Sequence, residues 1–458
     1  MKGWLARQAY GLVLRLATPA YLWRVWSRGR DEPDYRLAWP QRLGLYGAPH
    51  RQAIDLNAAK DGAVRPLLWL HAVSLGETKA AAPLVQALRA AQPGMRLLLT
   101  HTTATGREAG RALLQPGDIH TWLPYDTPGA VRRFLRVHRP VGGVLMETEV
   151  WPVLLHACRK AGVPVVLANA RLSDKSLRQG QRLAALLQPA ARALSLTLAQ
   201  TEDDARRLRL MGAEPVEVAG NVKFDMSPDP AAIALGRQWG AADARPLVLA
   251  ASTREGEEPG LLAAWVAASA AQPGQDAQAS RSARPRLFIV PRHPQRFDEV
   301  AAMVAQAGLS LSRRSAWPGG QPDAAALQAD VWLGDSMGEM PAYYAAARVA
   351  LLGGSFAPLG GQNLIEAAAC GCPIVMGPST FNFDEAARLS EAAGAATRVP
   401  DWAAGVQCAR AACEASAQAT QAAQRRAQAF AQAHQGAARR MAEAIWAVIG
   451  AAGRHGGR

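Results

Sequence analysis

The chain has 458 residues, too many for one hydrophobic core, so we predict two domains. Its net charge of +14 favours an anionic partner: nucleic acid, anionic lipid or an anionic substrate. The sequence contains no block of Lys and Arg interleaved with aromatic residues and no zinc-finger spacing, which argues against nucleic acid. Five cysteines without disulfide-like spacing indicate buried thiols in a reducing compartment.

The first thirty residues carry a separate signal. Residues 4–26 combine tryptophans and aliphatic residues with arginines, and Arg15 and Pro19 interrupt the apolar run. The segment is therefore a poor spanning helix, and it has no small-residue cleavage site. Aromatic and basic residues on one amphipathic stretch are typical of a helix that lies in an anionic membrane interface. An ordinary helix that caps the first domain is the alternative.

Short apolar runs alternate with helical stretches from about residue 64, a pattern that predicts parallel sheets with crossover helices. The predicted strands are 67–73, 96–100, 141–146, 163–168, 195–199, 215–219, 246–250, 286–290, 329–333, 348–352 and 373–376. We therefore predict an α/β protein with two Rossmann-like, doubly wound domains that face a central cleft.

The domain boundaries follow from composition. We predict a membrane-anchor helix at 1–30, a first domain at 31–228 and a second at 229–458 that ends in Ala-rich helices. Residues 272–286, rich in Gln, Ser, Ala and Arg, predict a flexible surface insertion.

Ligands of open parallel sheets bind beyond the carboxyl ends of the strands, and unusual polar residues follow several predicted strands here. Ser74, Gly76 and Glu77 follow the first strand of the first domain. Ser-x-x-Glu at a helix start is a capping box. The alternative is that Gly76 exposes Glu77 as a general base. Both interpretations stay open at this point.

Two carboxylates, Glu147 and Glu149, follow the strand 141–146. Carboxylates at the end of an apolar strand are unfavourable unless they are paired or used, and a helix-start role explains only one of them. Further along, Arg171 belongs to a polar group that either holds substrate hydroxyls or braces the cleft. Lys223 either binds an anion or pairs with Asp225.

The second domain repeats this arrangement. Arg292, between two prolines, is placed for a bidentate phosphate contact, whereas His293 is either catalytic or a structural hydrogen-bonding residue. The backbone at Met337 and Gly338 is expected to hold a base or a phosphate at a helix start.

A glycine-rich stretch, 353–366, follows the apolar run 349–352. Its glycines allow backbone N–H groups to approach a phosphate closely. Asn363 and Glu366 lie three apart on the first turn of a helix, where the carboxylate can accept hydrogen bonds from ribose hydroxyls. The stretch predicts a nucleotide site. A glycine-rich turn with a helix-start Glu is the alternative.

Several common cofactor signatures are absent from the sequence. No Gly-x-Gly-x-x-Gly follows the first strand, and there is no Gly-Lys-Ser/Thr of a P-loop. No Asp-x-Asp pair or His cluster marks a metal site, so we expect neither a metal nor a cofactor.

Taken in order, these motifs closely resemble the Kdo transferases of lipopolysaccharide synthesis, which are two-Rossmann-domain (GT-B) glycosyltransferases. Kdo is 3-deoxy-D-manno-octulosonic acid. The matching motifs are Ser-x-Gly-Glu, Glu-Thr-Glu-x-Trp-Pro, Asn-Ala-Arg-Leu-Ser, Lys-Phe-Asp, Pro-Arg-His-Pro-x-Arg-Phe, Gly-Asp-Ser-Met-Gly-Glu and Gly-Gly-x-Asn. Gln362 stands where many members have His, and Leu364 where many have Pro.

The resemblance implies an inverting transfer of Kdo from CMP-Kdo to a lipid A precursor at the cytoplasmic face of the inner membrane. It implies Glu77 as the general base and Glu147 and Lys223 as transition-state stabilisers. It implies a CMP pocket at Pro291, Arg292, Met337, Gly338, Glu339, Asn363, Leu364, Ile365 and Glu366. Further substrate contacts are expected at Ser74, Gly76, Arg171, Ser252 and Gly354.

Two other interpretations remain open from the residues. One is another GT-B enzyme that acts on a UDP-sugar, as a transferase or an epimerase. The other is a non-catalytic membrane scaffold on the same fold. The expected partners are CMP-Kdo, a lipid A precursor and the anionic inner-membrane surface, with no nucleic acid.

Overall fold

The computed structural model describes residues 2–56, 59–60, 63–269 and 284–455. Most of the surface insertion expected at 272–286 lies outside the described residues. Its last residue, Arg286, begins a strand and is fully buried, so the insertion as predicted extends too far.

The strands are β1 (Ala59–Lys60), β2 (Ala63–Val64), β3 (Leu67–His71), β4 (Arg96–His101), β5 (Ile119–Trp122), β6 (Gly142–Met146), β7 (Val165–Ala170), β8 (Leu196–Ala199), β9 (Val216–Val218), β10 (Leu247–Thr253), β11 (Arg286–Pro291), β12 (Leu311–Arg313), β13 (Val331–Leu333), β14 (Val349–Leu352), β15 (Ile374–Met376) and β16 (Ala396–Arg398).

The helices are α1 (Lys2–Arg28), α2 (Ala48–Leu56), α3 (Leu75–Ala91), α4 (Ala104–Gly110), α5 (Pro128–His138), α6 (Pro152–Lys160), α7 (Asp174–Arg182), α8 (Ala184–Ala191), α9 (Glu202–Leu210), α10 (Pro230–Ala242), α11 (Glu258–Ser269), α12 (Phe297–Gln306), α13 (Ala324–Gln328), α14 (Met340–Ala346), α15 (Leu364–Ala369), α16 (Asp384–Ala392), α17 (Trp402–Glu414), α18 (Ala417–Ala433) and α19 (Ala437–His455). Short 3₁₀ turns occupy Pro33–Arg36, Trp39–Leu43, Arg111–Leu113, Val222–Asp225, Pro294–Arg296, Arg314–Ala316 and Pro318–Gly320.

The chain forms two compact units. Unit 1 contains Met1–Asp225 and Gln435–Arg458, and unit 2 contains Met226–His434. The division at 225/226 lies three residues before the expected boundary, and the last helix belongs to unit 1 rather than to the second domain as we expected. Asp225 explains this because its carboxylate accepts the N–H of Ala438 at 2.6 Å, at the start of α19. Met441 and Ile445 of α19 are then buried in the core of unit 1.

Unit 1 is built on a seven-stranded parallel sheet in the order β5-β4-β3-β6-β7-β8-β9. Its central strands are buried on both faces, as continuous apolar runs require. The chain starts at β3, extends outwards to β5 and then returns to the other side of β3 with β6. The carboxyl ends of β3 and β6 therefore form a topological switch point, where ligands of such sheets bind.

Unit 2 repeats the plan with the parallel order β12-β13-β11-β10-β14-β15-β16. Its switch point lies between β10 and β14. There the two backbones approach so closely that a Cβ on Gly353 would lie 2.3 Å from the carbonyl oxygen of Ser252. Only glycine fits at that position.

The predicted α/β class and the two doubly wound units are confirmed. Each predicted strand is present within a few residues of its expected bounds. The sequence pattern missed β5, β12 and β16, which are edge or near-edge strands of three or four residues.

The expected N-terminal helix is α1, which runs through Pro19. It is docked on unit 1: the Tyr10 hydroxyl donates to the Asp126 carboxylate, and the Tyr21 ring lies 5.9 Å from that of Tyr125. In the part of the chain that the structure describes, every helix is too short or too polar to cross a membrane.

Candidate functional site

Glu77 lies at the carboxyl end of β3, in the first turn of α3. Ser74 caps α3 by accepting the N–H of Glu77 at 3.4 Å, and the Glu77 carboxylate accepts the N–H of Val73 at 2.8 Å. The capping interpretation is therefore correct. It does not remove the catalytic one, because burial raises the pKa of Glu77, and the charge of Glu147 raises it further.

Gly76 leaves space beside Glu77. A Cβ at this position would meet only the Ser74 Oγ, at 3.9 Å. No protein atom requires glycine there, so the open space beside the carboxylate is available to a ligand.

Glu147 occupies the adjacent strand end, after β6. Its backbone has a φ of 57°, in the left-handed region, and only 5 % of the residue is exposed. The carboxylate is paired twice, with Arg171 Nε at 2.9 Å and with Lys223 Nζ at 3.4 Å. This double pairing is what a buried carboxylate needs. It brings three of the predicted site residues into one cluster.

Glu149 completes a group of three carboxylates. Burial, with the nearby charges of Glu77 and Glu147, raises the pKa of Glu149 to about 7. Its nearest cationic candidate is His71, whose Nε2 lies 3.9 Å from Glu149 Oε2. Complete burial lowers the pKa of His71 to about 3, so that ring is neutral near pH 7. Sequence reasoning missed His71, since it lies inside an apolar strand.

A buried amide network positions Lys223. Asn169, with a φ of 52°, accepts the N–H of Val222 at 3.2 Å. Gln200 donates to the Asn169 carbonyl at 2.9 Å and accepts from Asn221 Nδ2 at 3.0 Å. Asn221 in turn accepts the N–H of Lys223 at 3.0 Å. Asn169 therefore braces the site.

In unit 2, a side chain that we did not predict occupies the glycine turn. The buried carboxylate of Glu257 accepts the N–H groups of Gly354 at 2.6 Å, Phe356 at 3.1 Å, Ala357 at 3.3 Å and Arg254 at 2.9 Å. The expectation that the Gly354 N–H is open to a phosphate was wrong, because that donor is already used. The acidic run 255–258 was the signal for it.

The start of α15 is also internally satisfied in part. Asn363 caps the helix by accepting the N–H of Ile365 at 3.1 Å. The side chains of Leu364 and Ile365 are buried, so only their backbones are accessible to a ligand. Glu366 is half-buried one turn along.

The ends of β10 and β11 hold a group of cations. Pro291 is buried, and Arg292 is exposed, with its backbone N–H bonded to the carbonyl of Thr253 at 2.9 Å. Burial and the charges of Arg254, Arg292 and Arg296 lower the pKa of His293. The positive field at this strand end favours an anion.

Arg296 has a structural role in this group. Its guanidinium forms a fork with the fully buried Glu258, at 2.7 and 3.1 Å. The cations left to face a ligand are Arg292 and the half-buried Arg254, which we did not single out from the sequence.

The loop after β13 presents the remaining predicted residues. Met337 is 64 % exposed, and Gly338, with a φ of 85°, has no other atom within 4 Å of a Cβ position. Glu339 is held by Arg314, whose Nη2 lies 2.8 Å from its carboxylate, and by the Ser336 hydroxyl. Ser252, with a φ of 55°, places its Oγ 3.9 Å from the sulfur of Met340.

Within the described ranges, no group of three or more His, Cys, Asp or Glu side chains is arranged to hold a metal ion.

Comparison with known proteins identifies the family. Residues 37–226 match a family model described as 3-deoxy-D-manno-octulosonic-acid transferase (kdotransferase). A 3-deoxy-D-manno-octulosonic acid transferase of Bordetella pertussis is 49 % identical over 87 % of this chain and 89 % of its own length. One from Haemophilus influenzae is 32 % identical over 83 % of this chain and 84 % of its own length.

The fold is also found among solved structures. A glycosyltransferase from Rickettsia africae matches 84 % of this chain and 99 % of its own, with a TM-score of 0.55 and 10 % identity. With the two doubly wound units and the family motifs in place, the chain belongs to the 3-deoxy-D-manno-octulosonic acid (Kdo) transferase family.

Proposed function

We propose that this chain transfers Kdo from CMP-Kdo to a lipid A precursor, with inversion at the anomeric carbon. The observation that carries the proposal is the cluster at the switch point of unit 1. There a partly buried carboxylate with a raised pKa, Glu77, lies beside a carboxylate held by two cations. This arrangement separates a free base from a fixed charge.

Glu77 acts as the general base. The acceptor hydroxyl gives its proton to the Glu77 carboxylate while its oxygen forms a bond to the anomeric carbon. The bond from that carbon to the CMP phosphate breaks, and its electron pair leaves with CMP. One displacement from the face opposite the leaving group inverts the configuration, through a transition state that resembles an oxocarbenium ion.

Glu147 and Lys223 stabilise that transition state. The 3.4 Å ion pair fixes the lysine, and the Asn221 hydrogen bond fixes its backbone. Charge that is held before the reaction needs no reorganisation during it, and one such group is typically worth about 3–4 kcal/mol of barrier.

Unit 2 supplies the donor site in this proposal. Arg292 and Arg254 meet the phosphate, while the nucleoside lies against the loop 337–339 and the segment 363–366. The open space at Gly338 and the exposed Arg292 support this assignment. A monophosphate leaving group accumulates less charge than a diphosphate, so we propose that these cations suffice without a metal. Undiminished activity in the presence of EDTA is the expected result.

We further propose that α1 attaches the protein to the anionic cytoplasmic face of the inner membrane. Leu5, Leu12, Leu16 and Trp23 recur at helical spacing, and each is 52–75 % or more exposed to solvent along the helix, at 56 %, 56 %, 74 % and 75 %. Tyr10 turns the opposite side of the helix towards the protein. An apolar outer face with flanking arginines suits an interfacial helix.

Flotation with vesicles that contain phosphatidylglycerol tests the attachment. The double variant Leu16→Ser/Trp23→Ser should bind these vesicles at least about tenfold more weakly, because each buried apolar side chain is worth about 1.5–3 kcal/mol. Leu210→Ser, at a residue 51 % exposed outside α1, is the matched control. Equal loss in both variants would contradict the assignment.

The reaction is tested by CMP release from CMP-Kdo with a tetraacylated lipid A precursor. Glu77→Gln keeps the hydrogen-bond acceptor that caps α3 but removes the base, so acceptor-dependent release should fall by about 10²–10⁴ with CMP binding intact. Glu202→Gln, an exposed first-turn Glu of α9, is the control.

Two outcomes would redirect the proposal. Unchanged release by Glu77→Gln would move the base to another carboxylate of the cluster. No release by the parent protein, with thermal stabilisation by UDP and not by CMP, would indicate a UDP-sugar enzyme.

A further inference from the structure

Unit 1 contains a cavity of about 460 Å³ under α1. On one side it is lined by the carboxyl ends of β3, β4 and β5, through Val73, Thr102 and residues 123–126. This volume lies within the range of about 300–1,000 Å³ found for ligand pockets. The cavity is thus at the ligand-binding edge of the sheet.

One face of α1 forms the opposite wall. Leu14, Thr18, Tyr21 and Val25 line the cavity at spacings of four, three and four residues, which place them along one side of a helix. The wall is mainly apolar, and α1 is held over it by the Tyr10 contact to Asp126. The helix therefore encloses a space that reaches the carboxylate cluster, because Glu149 also lines it.

Three arginines give the cavity its charge. Arg24 and Arg28 are exposed at its rim, and among the described residues neither lies within 4 Å of a carboxylate oxygen. The third, Arg42, is only 3 % exposed, and its guanidinium lies 3.8 Å from the Trp122 ring centroid.

The cavity also contains polar atoms that the protein does not satisfy. In the described part of the chain, Arg42 Nε and the Tyr125 hydroxyl are buried and have no hydrogen-bond partner. Buried polar groups are normally paired, so such atoms in a cavity wall indicate a polar ligand. A simple packing gap beneath a helix would be apolar and would not need three cations.

We propose that this cavity binds the acceptor lipid, with a phosphate at Arg24 and Arg28, an acyl chain along α1 and the reacting hydroxyl towards the carboxylate cluster. The inference rests on the proposed function. It makes α1 a wall of the substrate site as well as a membrane helix. The occupant must be an anionic amphiphile, since an apolar wall and a cationic rim meet in one space.

The matched chemistry is tested with two double variants on the same helix. Arg24→Gln/Arg28→Gln removes the rim charge, whereas Arg7→Gln/Arg15→Gln removes equal charge outside the cavity. Full-length proteins are assayed for CMP release in mixed detergent micelles, with the tetraacylated bisphosphorylated acceptor and with its dephosphorylated form. Micelles reduce any contribution from attachment to a bilayer.

The rim variant should raise KM for the phosphorylated acceptor by about tenfold or more, since charge-assisted hydrogen bonds are lost. Its KM for the dephosphorylated acceptor and its CMP affinity should equal those of the parent, and the control variant should match the parent with both acceptors. Equal KM increases in the two double variants, or none in the rim variant, would overturn the inference.

A cavity-filling pair gives a second readout. Thr18→Trp should fill the apolar wall and raise KM for the acylated acceptor, while Leu16→Trp on the exposed outer face should not. Parent-like KM in a folded Thr18→Trp variant would overturn the acyl-chain assignment. If the parent itself gives no acceptor-dependent CMP release, the proposed function fails, and that result is distinct from either outcome above.

Discussion

Glu257 is predicted to hold the glycine turn of unit 2 together, and Glu257→Ala tests this. Its carboxylate is the acceptor for four backbone N–H groups, and the residue is 1 % exposed. A buried N–H without an acceptor costs about 1–3 kcal/mol. The Gly354 donor is fully enclosed and incurs that cost, whereas the other three are partly accessible to water.

The magnitude follows from this count. One full penalty and three partial ones sum to roughly 3–5 kcal/mol, after allowance for the buried charge that the substitution removes. Local opening of the turn should then become easier by about 10²–10³-fold. CMP affinity should fall with it, because residues 363–366 follow directly from the turn.

Amide hydrogen exchange measures the effect where it arises. The exchange rates of Gly354 and Phe356 should rise by that factor in Glu257→Ala, with urea denaturation as the global measurement. Glu255→Ala, two residues away and exposed, is the control and should change stability by less than about 0.5 kcal/mol. Equal protection of these two amides in both variants would refute the reasoning.

Two further predictions concern charged groups. The folded pKa of Glu149, about 7, exceeds the ordinary 4.5, so the native state binds more protons in that window and the stabilising contribution of Glu149 falls as pH rises through it. Glu149→Gln should therefore gain up to roughly 3 kcal/mol relative to the parent between about pH 5 and pH 8, measured by urea denaturation, and an unchanged difference would contradict the buried position. Arg292→Gln should lower CMP affinity about tenfold by calorimetry without loss of stability. Arg296→Gln should instead destabilise unit 2 by about 3–5 kcal/mol, because buried Glu258 loses its guanidinium partner. The reverse pattern would assign the phosphate contact to Arg296.

The fold was predictable because central strands of parallel sheets are continuous apolar runs. β3 and β6 are buried along their whole length, so their sequences carry an unmistakable signal. β12 is partly exposed at an edge, with Ser312 and Arg313 among its three residues. Its pairing comes from the neighbouring strand and not from its own composition, so no local pattern reports it.

The site was predictable at its charged residues and not at their supports. Glu77, Glu147 and Lys223 stand out because ionisable groups at buried strand ends are unfavourable without a purpose. Glu257 is equally buried, yet a run of acidic residues in a loop gives no sign of which one turns inward. Its partners lie about 100 residues away in the chain, and only the folded sheet brings them together.

The charge balance of the carboxylate cluster bears on the donor that the proposed function requires. Kdo itself carries a carboxylate at its anomeric carbon, so three ionised glutamates would repel it. Arg171 and Lys223 offset Glu147, and a pKa of about 7 leaves Glu149 largely neutral at or below that pH. His71, neutral in its buried position, contributes no charge. The net charge near Glu77 is therefore small enough for an anionic sugar to approach, while Glu77 can still accept a proton. On this argument Glu149 supports the reaction by remaining protonated, which is why Glu149→Gln should retain transfer activity while Glu77→Gln should not.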